Sequence, residues 1–287
     1  MAVTMKDYRG DVSTWCPGCG HFSVMAGMQR AAINLGLEPH EVVICSGIGC
    51  SGKVSEYMRS YGFHTLHGRS LPVAQAVKLA NSKLKVFAAG GDGDGYGIGA
   101  GHFTHAARRN VDITYIVMDN RIYGLTKGQT SPTSAQGFKS STSPEGAGER
   151  EVKPLELALA AGASFVAQAF AGDIKSLTEI IQKAMEHTGF ALVNVFSPCV
   201  TFNKVNTYDF YKEKLVDVND IPGYDPTDKA KVYAKLMEYD GLIQGVIYQE
   251  ERPAYHTFLA GYPEEPIAEA DLTPNEQVLN ELWAQFK

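Results

Sequence analysis

The sequence has no apolar run approaching the ~20 residues that a membrane-spanning helix needs, and residues 1–10 lack the apolar core of an export signal. A cytoplasmic location without a membrane partner is therefore expected. Basic residues form no long block, and 26 Lys and Arg against 32 Asp and Glu leave a formal net charge of -6. That balance excludes a general nucleic-acid binder. There is no internal repeat. Only five cysteines occur in 287 residues, too few and too unsheltered by any export signal for a disulfide framework. They are expected to be free thiols or metal ligands. What remains is an ordinary globular composition, 44% hydrophobic and 20% charged, long enough for one large α/β domain or two small ones.

Glycine is the residue in supply, and residues 85–128 hold many of the 29. The short apolar run 86–89 is stopped by Gly90-Gly91-Asp92-Gly93, as a buried strand ending in a loop would be. Residues 97–109 are helix-compatible, and the β-branched run 113–118 ends at Asp119-Asn120. A parallel βαβ unit follows, whose two strand ends share one edge of the sheet. Asp92 and Asn120 should then be neighbours. A carboxylate and an amide oxygen are hard ligands suited to Mg²⁺, which takes few protein ligands and completes its octahedron with phosphate oxygens. The glycines would let backbone N–H groups approach those phosphates. Two rival readings stay open for this stretch. Gly95-Tyr96-Gly97-Ile98-Gly99-Ala100 fits the G-x-G-x-x-A dinucleotide fingerprint with Asp119 as ribose ligand, and a Gly-rich turn without a ligand is the other.

Trp15-Cys16-Pro17-Gly18-Cys19-Gly20-His21 is a C-x-x-C turn whose spacing serves zinc, redox pairs and iron–sulfur clusters alike. An amphipathic helix is expected over 22–35 and a strand over 41–45. Cys45 lies inside that strand and reads as an inert buried thiol. Cys50 lies past its end, among glycines, and is the better ligand candidate. His67-Gly68-Arg69 precedes a helix over 71–80 with Pro72 in its first turn, where a His and an Arg could meet a phosphate or a carboxylate. Residues 126–153 read as a long binding loop or lid in which Lys127 and Gln129 are the notable polar groups. Alternation then returns, with a helix over 154–161, a strand over 164–168, a helix over 173–187 capped by Asp173, and a strand over 191–196 ending at Ser197-Pro198-Cys199. The domain is expected over 1–205. Residues 206–287, with helices over 228–239 and 274–286, are expected as a tail packing on the domain or on a partner subunit.

Ligands gather outside the carboxyl ends of parallel strands, so Cys50, Asp92, Asn120 and Cys199 should share one edge. Cys16 and Cys19 would fold over from the N-terminal arm to complete four thiolates, a set that suits Zn²⁺ or an iron–sulfur cluster. Gly91-Asp92-Gly93 followed by Asn120 resembles the metal and diphosphate motif of thiamine diphosphate enzymes. That resemblance implies Asp92, Asn120 and the backbone carbonyl of Ile122 as Mg²⁺ ligands. An oxidative decarboxylation beside such a site needs an electron acceptor, which a [4Fe–4S] cluster supplies and zinc does not.

Taken together, residues 15–20, 47–51, 67–69, 91–95, 120–126 and 197–199 resemble the β subunit of 2-oxoacid:ferredoxin oxidoreductases. The resemblance implies a parallel-sheet α/β fold that binds thiamine diphosphate, with an N-terminal cluster-binding arm and a C-terminal tail. It implies one [4Fe–4S] cluster on Cys16, Cys19, Cys50 and Cys199. Contacts to the diphosphate or thiazolium are implied from Ile48, Gly49, Cys50, Ser51, His67, Gly93, Asp94, Gly124 and Leu125. It further implies an α subunit that contributes the activating glutamate, in an αβ or (αβ)2 assembly, coenzyme A and a 2-oxoacid as substrates, and ferredoxin as acceptor. Lys53, His67, Arg69 and Lys127 are the candidates for meeting substrate or coenzyme A, and the 124–129 loop favours 2-oxoglutarate over pyruvate. A non-oxidative thiamine decarboxylase subunit, which would leave the thiols without a task, and a zinc-stabilised interaction module are the alternatives.

Overall fold

The five strands read from the sequence all form, because a parallel strand covered on both faces has no polar side to show. The computed structural model describes residues 3–271, 273 and 275–286. In chain order the elements are α1 (His21–Asn34), β1 (Val42–Ser46), α2 (Val54–Tyr57), β2 (Tyr61–His64), α3 (Ser70–Ala80), β3 (Lys85–Gly91), α4 (Ala100–Arg109), β4 (Ile113–Asp119), α5 (Pro154–Ala161), β5 (Phe165–Phe170), α6 (Ile174–Glu186), β6 (Phe190–Phe196), α7 (Tyr208–Lys214), β7 (Val216–Asp217), α8 (Lys229–Glu238), β8 (Ile243–Gln249) and α9 (Glu276–Ala284). The sheet order is β2-β1-β3-β4-β6-β5-β8-β7. From β2 to β5 every pairing is parallel, and β8 runs antiparallel to β5.

Successive strand residues point to opposite faces, and the two cores follow that period. Val43, Cys45, Val86 and Ala88 pack beneath Leu71 of α3, Phe103 of α4 and Leu155 of α5. Val42, Ile44, Phe87 and Ala89 pack beneath Met28 of α1 and Ile181 of α6. Asp173 caps α6 by accepting from the Ser176 N–H at 3.1 Å, as its position suggested.

Several elements were not legible, among them the short α2 and β7. β2 is exposed along its whole length, so it carries no burial pattern to read. In the 206–287 region, α7 and β8 form where Tyr, Lys, Gly and Gln interrupt the apolar pattern. β8 buries Ile243, Ile247 and Tyr248, and α8 adds Val232 and Leu236 to the α3/α4/α5 side of the core. The helix expected over 274–286 is observed as α9; Pro274 lies outside the described residues.

One side chain holds the C-terminal segment to the sheet. Asn110 ends α4 in the left-handed region, with φ of 56°. Its Oδ1 accepts from Ser164 Oγ at 2.6 Å and from the Phe190 N–H at 2.9 Å, while Nδ2 donates to the carbonyls of Arg252 and Pro253. Asn110→Ala would orphan the Phe190 N–H and place a Cβ residue without local hydrogen-bonding help in a strained conformation. A loss of about 2–4 kcal/mol is expected, from unsatisfied buried groups and left-handed strain, read as a lowered urea midpoint with an unchanged slope.

Candidate active site

The parallel pairing brings the carboxyl ends of β1, β3, β4 and β6 to one edge, and each is followed by a residue singled out from the sequence. Asp92 follows β3 and Asn120 follows β4; both are buried, at 2% and 8% exposure. Thr133 reaches back from the long loop and donates its hydroxyl toward Asp92 Oδ2 at 2.7 Å and Asp119 Oδ1 at 2.8 Å. One hydroxyl proton cannot serve two carboxylates. Burial and the Asp119 charge push Asp92 up to about 7, and burial raises Asp119 as well. The buried Arg121 guanidinium lies near both carboxylates. Two carboxylates outnumber the one guanidinium, and a divalent cation at Asp92 would offset that excess negative charge and keep positive charge for a phosphate. The donor set therefore fits Mg²⁺.

Beside it, Asp94 folds its carboxylate inward. Its Oδ1 accepts from His67 Nδ1 at 2.7 Å, Gly68 N–H at 2.8 Å and Ile48 N–H at 2.9 Å. Its Oδ2 is buried without a partner. The approach is so close that a Cβ on Gly47 would lie 1.8 Å from that oxygen. These bonds clamp the turn after β1 to the turn before α3, and between them opens a cleft of ≈ 140 Å³. Ile48, Gly49, Cys50, Ser51, His67, Asp92, Gly93, Asp94, Asn120, Ile122, Gly124 and Leu125 all line it. Among the described residues, Lys53, Arg69 and Lys127 do not. Lys53 Nζ instead donates to Thr14 Oγ1 at 3.0 Å. Arg69 is exposed near enough to His102 to lower its pKa. Lys127 is exposed in a left-handed turn with φ of 78°.

Two of the thiols meet at Gly124, on the wall of the same cleft. A Cβ on Gly124 would sit 3.6 Å from Cys50 Sγ and 3.7 Å from Cys199 Sγ, so both sulfurs lie beside the same backbone position. The C-x-x-C arm is held in a turn by the Cys19 N–H donating to the Cys16 carbonyl at 3.0 Å, and is tied to the end of β6 by the Gly20 N–H donating to the Pro198 carbonyl at 3.2 Å. Burial pushes the Cys19 thiol up to about 12, and the nearby Cys199, Cys50 and Cys16 add to it. Burial, then Cys199 and Cys16, also raise Cys50. Cys45 is raised to about 12 by burial alone, which separates it from the four. Among the described residues, no three His, Cys, Asp or Glu side chains are gathered closely enough to hold a single metal ion. A cluster that places several irons and sulfides between its thiolates does not ask for that spacing.

Sequence reading missed the side chains that hold these candidate residues in place. Thr133 acts from 41 residues beyond Asp92. Asn203 is 1% exposed and donates to the Asn120 carbonyl at 3.0 Å, while its own N–H bonds the Cys199 carbonyl. No local pattern marks either. Asp119 bonds Thr133 and accepts weakly from Asn194 at 3.4 Å. It is turned into the protein, at 1% exposure, and not out toward a ribose.

The sequence matches two family profiles, one described as the thiamine pyrophosphate enzyme C-terminal TPP binding domain over residues 47–195 and one as the C-terminal part of the pyruvate ferredoxin oxidoreductase beta subunit over 199–264. It is 45% identical over 259 residues to a 2-oxoacid:ferredoxin oxidoreductase subunit beta from Saccharolobus solfataricus, covering 86% of this chain and 85% of that one. It is 43% identical over 198 residues to the 2-oxoglutarate synthase subunit KorB of Archaeoglobus fulgidus, covering 69% and 74%. Among solved structures it is similar to a 2-oxoglutarate:ferredoxin oxidoreductase from Magnetococcus marinus with 2-oxoglutarate, coenzyme A and succinyl-CoA bound, at 42% identity and a TM-score of 0.89, covering 98% of this chain and 96% of that one. With a thiamine pyrophosphate profile across the cleft and relatives matched along most of its length, the chain belongs to the β subunits of the 2-oxoacid:ferredoxin oxidoreductases.

Proposed function

We propose that this protein binds thiamine diphosphate through Mg²⁺ and one [4Fe–4S] cluster, and that the αβ complex it forms converts a 2-oxoacid and coenzyme A to acyl-CoA, carbon dioxide and reduced ferredoxin. The observation that carries the reading is the meeting of two chemically distinct sites on one sheet edge. Asp92, Asn120 and Ile122 line the same cleft as Cys50, whose sulfur lies with that of Cys199 beside Gly124. When bound, thiamine diphosphate supplies an electron sink for decarboxylation and the cluster a one-electron acceptor. A non-oxidative decarboxylase would have no use for the second site.

The chain's own residues then have separable tasks. Asp92, the Asn120 amide oxygen and the Ile122 carbonyl hold the cation. Thr133 donates to Asp92 Oδ2 and steadies the carboxylate. Asp94 fixes His67 and the Ile48 N–H at the mouth where the diphosphate lies. Cys16, Cys19, Cys50 and Cys199 would hold the cluster. The activating glutamate comes from the α subunit. Relatives named for 2-oxoglutarate favour that substrate over pyruvate. The same parts would serve reductive carboxylation.

The test is to co-purify the α and β subunits without oxygen. The complex is expected to contain iron with broad visible absorbance, and to reduce a low-potential acceptor faster with 2-oxoglutarate than with pyruvate when coenzyme A is present. Iron-free, colourless protein would sink the proposal; a preference for pyruvate would sink only the substrate. Thr133→Val keeps shape but removes the hydroxyl, so Mg²⁺-dependent cofactor affinity should fall about 10–100-fold, the usual cost of losing an outer-shell partner. Calorimetric titration checks it, and Thr133→Ser should recover most of the loss.

A further inference from the structure

The four thiols come from three separate stretches of chain, and a buried chain of contacts that includes none of their sulfurs joins those stretches. Trp15, beside Cys16, donates its indole Nε1–H to the Cys50 carbonyl at 2.6 Å. Its ring is 7% exposed and edge-packed against His21, Phe22 and Tyr57 at centroid distances of 5.5, 5.3 and 5.0 Å. His21, two residues past Cys19, shares a 2.7 Å hydrogen bond between Nδ1 and Ser197 Oγ. Ser197 stands two residues before Cys199, and its N–H donates to the Asp119 carbonyl at 2.8 Å. Contact is tight enough that a Cβ on Gly20 would lie 2.6 Å from Ser197 Oγ and 2.8 Å from the Ser197 carbonyl carbon.

We propose that Trp15, His21 and Ser197 form a buried brace that sets the spacing of the four thiols, making them positioning residues for the iron–sulfur cluster. The inference rests on the reading of Cys16, Cys19, Cys50 and Cys199 as cluster ligands. His21 is 1% exposed and leaves Nε2 buried with no hydrogen-bond partner. A leucine at that point of α1 would fill space without leaving a polar atom unsatisfied, so packing alone does not account for an imidazole there. The imidazole does what an apolar side chain cannot: it binds Ser197 and packs on Trp15 at once. Thiols held at their final spacing lose less freedom when the cluster assembles, and outer partners that fix ligand direction are the established way to that end.

The experiment uses the αβ complex, reconstituted anaerobically, with Ser197→Ala and Trp15→Phe. The first removes only a hydroxyl, and the second keeps an aromatic ring but loses the donor to Cys50. Both are expected to release iron to a chelator about tenfold faster than wild type or more, and to show a shifted or broadened electron paramagnetic resonance signal for the reduced cluster. Mg²⁺-dependent binding of thiamine diphosphate should stay at the wild-type level. His21→Asn, which keeps a polar atom near the Nδ1 position, should hold iron better than His21→Ala. Release at the wild-type rate from either Ser197→Ala or Trp15→Phe would overturn the brace, as would loss of iron and of thiamine diphosphate binding in step. An iron-free wild-type complex would instead overturn the cluster reading, and the brace with it.

Discussion

Asp92→Ala is expected to abolish Mg²⁺-dependent binding of thiamine diphosphate while leaving the iron content of the αβ complex close to wild type. Asp92 is the one carboxylate in the proposed cation set, the other two oxygens being an amide and a backbone carbonyl, so its loss removes all the formal charge the protein brings to the ion. The effect should exceed the about 10–100-fold cost of an outer-shell change. Iron should remain, since none of the four thiols is among the groups proposed to hold the cation. Stability without the cation should move the opposite way. Burial and Asp119 push Asp92 up to about 7, above its value of ~4 in an unfolded chain. The folded state then holds that proton more tightly, so its stability falls as pH rises from ~4 to about 7. Asp92→Asn removes this penalty. In cation-free buffer, wild type should lose more melting temperature between pH 5 and 8 than Asp92→Asn does, and saturating Mg²⁺ with cofactor should protect wild type alone. A variant that keeps Mg²⁺-dependent binding, or loses iron together with it, would refute this division of the site.

The legible parts of this chain were those whose chemistry is local. Buried strands announce themselves as apolar runs, and an acid or thiol just beyond such a run falls at the ligand-binding edge because parallel strands all end there. That logic found Asp92, Asn120, Cys50 and Cys199. It also separated Cys45, which is inside β1 and fully buried, from Cys50. What stayed hidden was contact across sequence distance. Thr133 lies in a loop rich in Ser, Thr and Pro where any hydroxyl looks like its neighbours; only the fold shows it between two buried carboxylates. Asn203 and Ser197 are equally anonymous until the turn after β6 is seen resting on β4 and α1. β8 escaped because Gly245 and its flanking glutamine break the apolar period, although the strand completes the sheet against β5. Charged candidates fared differently from the glycines and acids. Lys53, Arg69 and Lys127 have long, soluble side chains, and a sequence motif says little about where the end of such a chain rests.

Cys50→Ala should produce the complementary phenotype: a complex that still binds thiamine diphosphate and Mg²⁺ but holds almost no iron and does not reduce ferredoxin. Cys50 occupies the hinge between the two sites. Its backbone belongs to the turn that lines the cofactor cleft, while its sulfur and that of Cys199 both lie beside Gly124. Truncating the side chain leaves Ile48 N–H bonded to Asp94 and the His67 clamp untouched, so cofactor affinity has no reason to change. A four-thiolate cage that loses one inner ligand loses a bond to iron itself, a larger defect than any outer contact. Iron per β subunit is therefore expected to fall from about four, the content of one cubane cluster, to near zero. Electrons released by decarboxylation would then have no exit toward an acceptor. Cys45→Ala is the matched control, since it removes a thiol of equal size from the adjacent strand yet should keep its iron. Metal analysis and calorimetric cofactor titration on the two variants decide the matter. Iron retained in Cys50→Ala, or lost from Cys45→Ala, would place the cluster elsewhere and separate the cofactor cleft from the electron path.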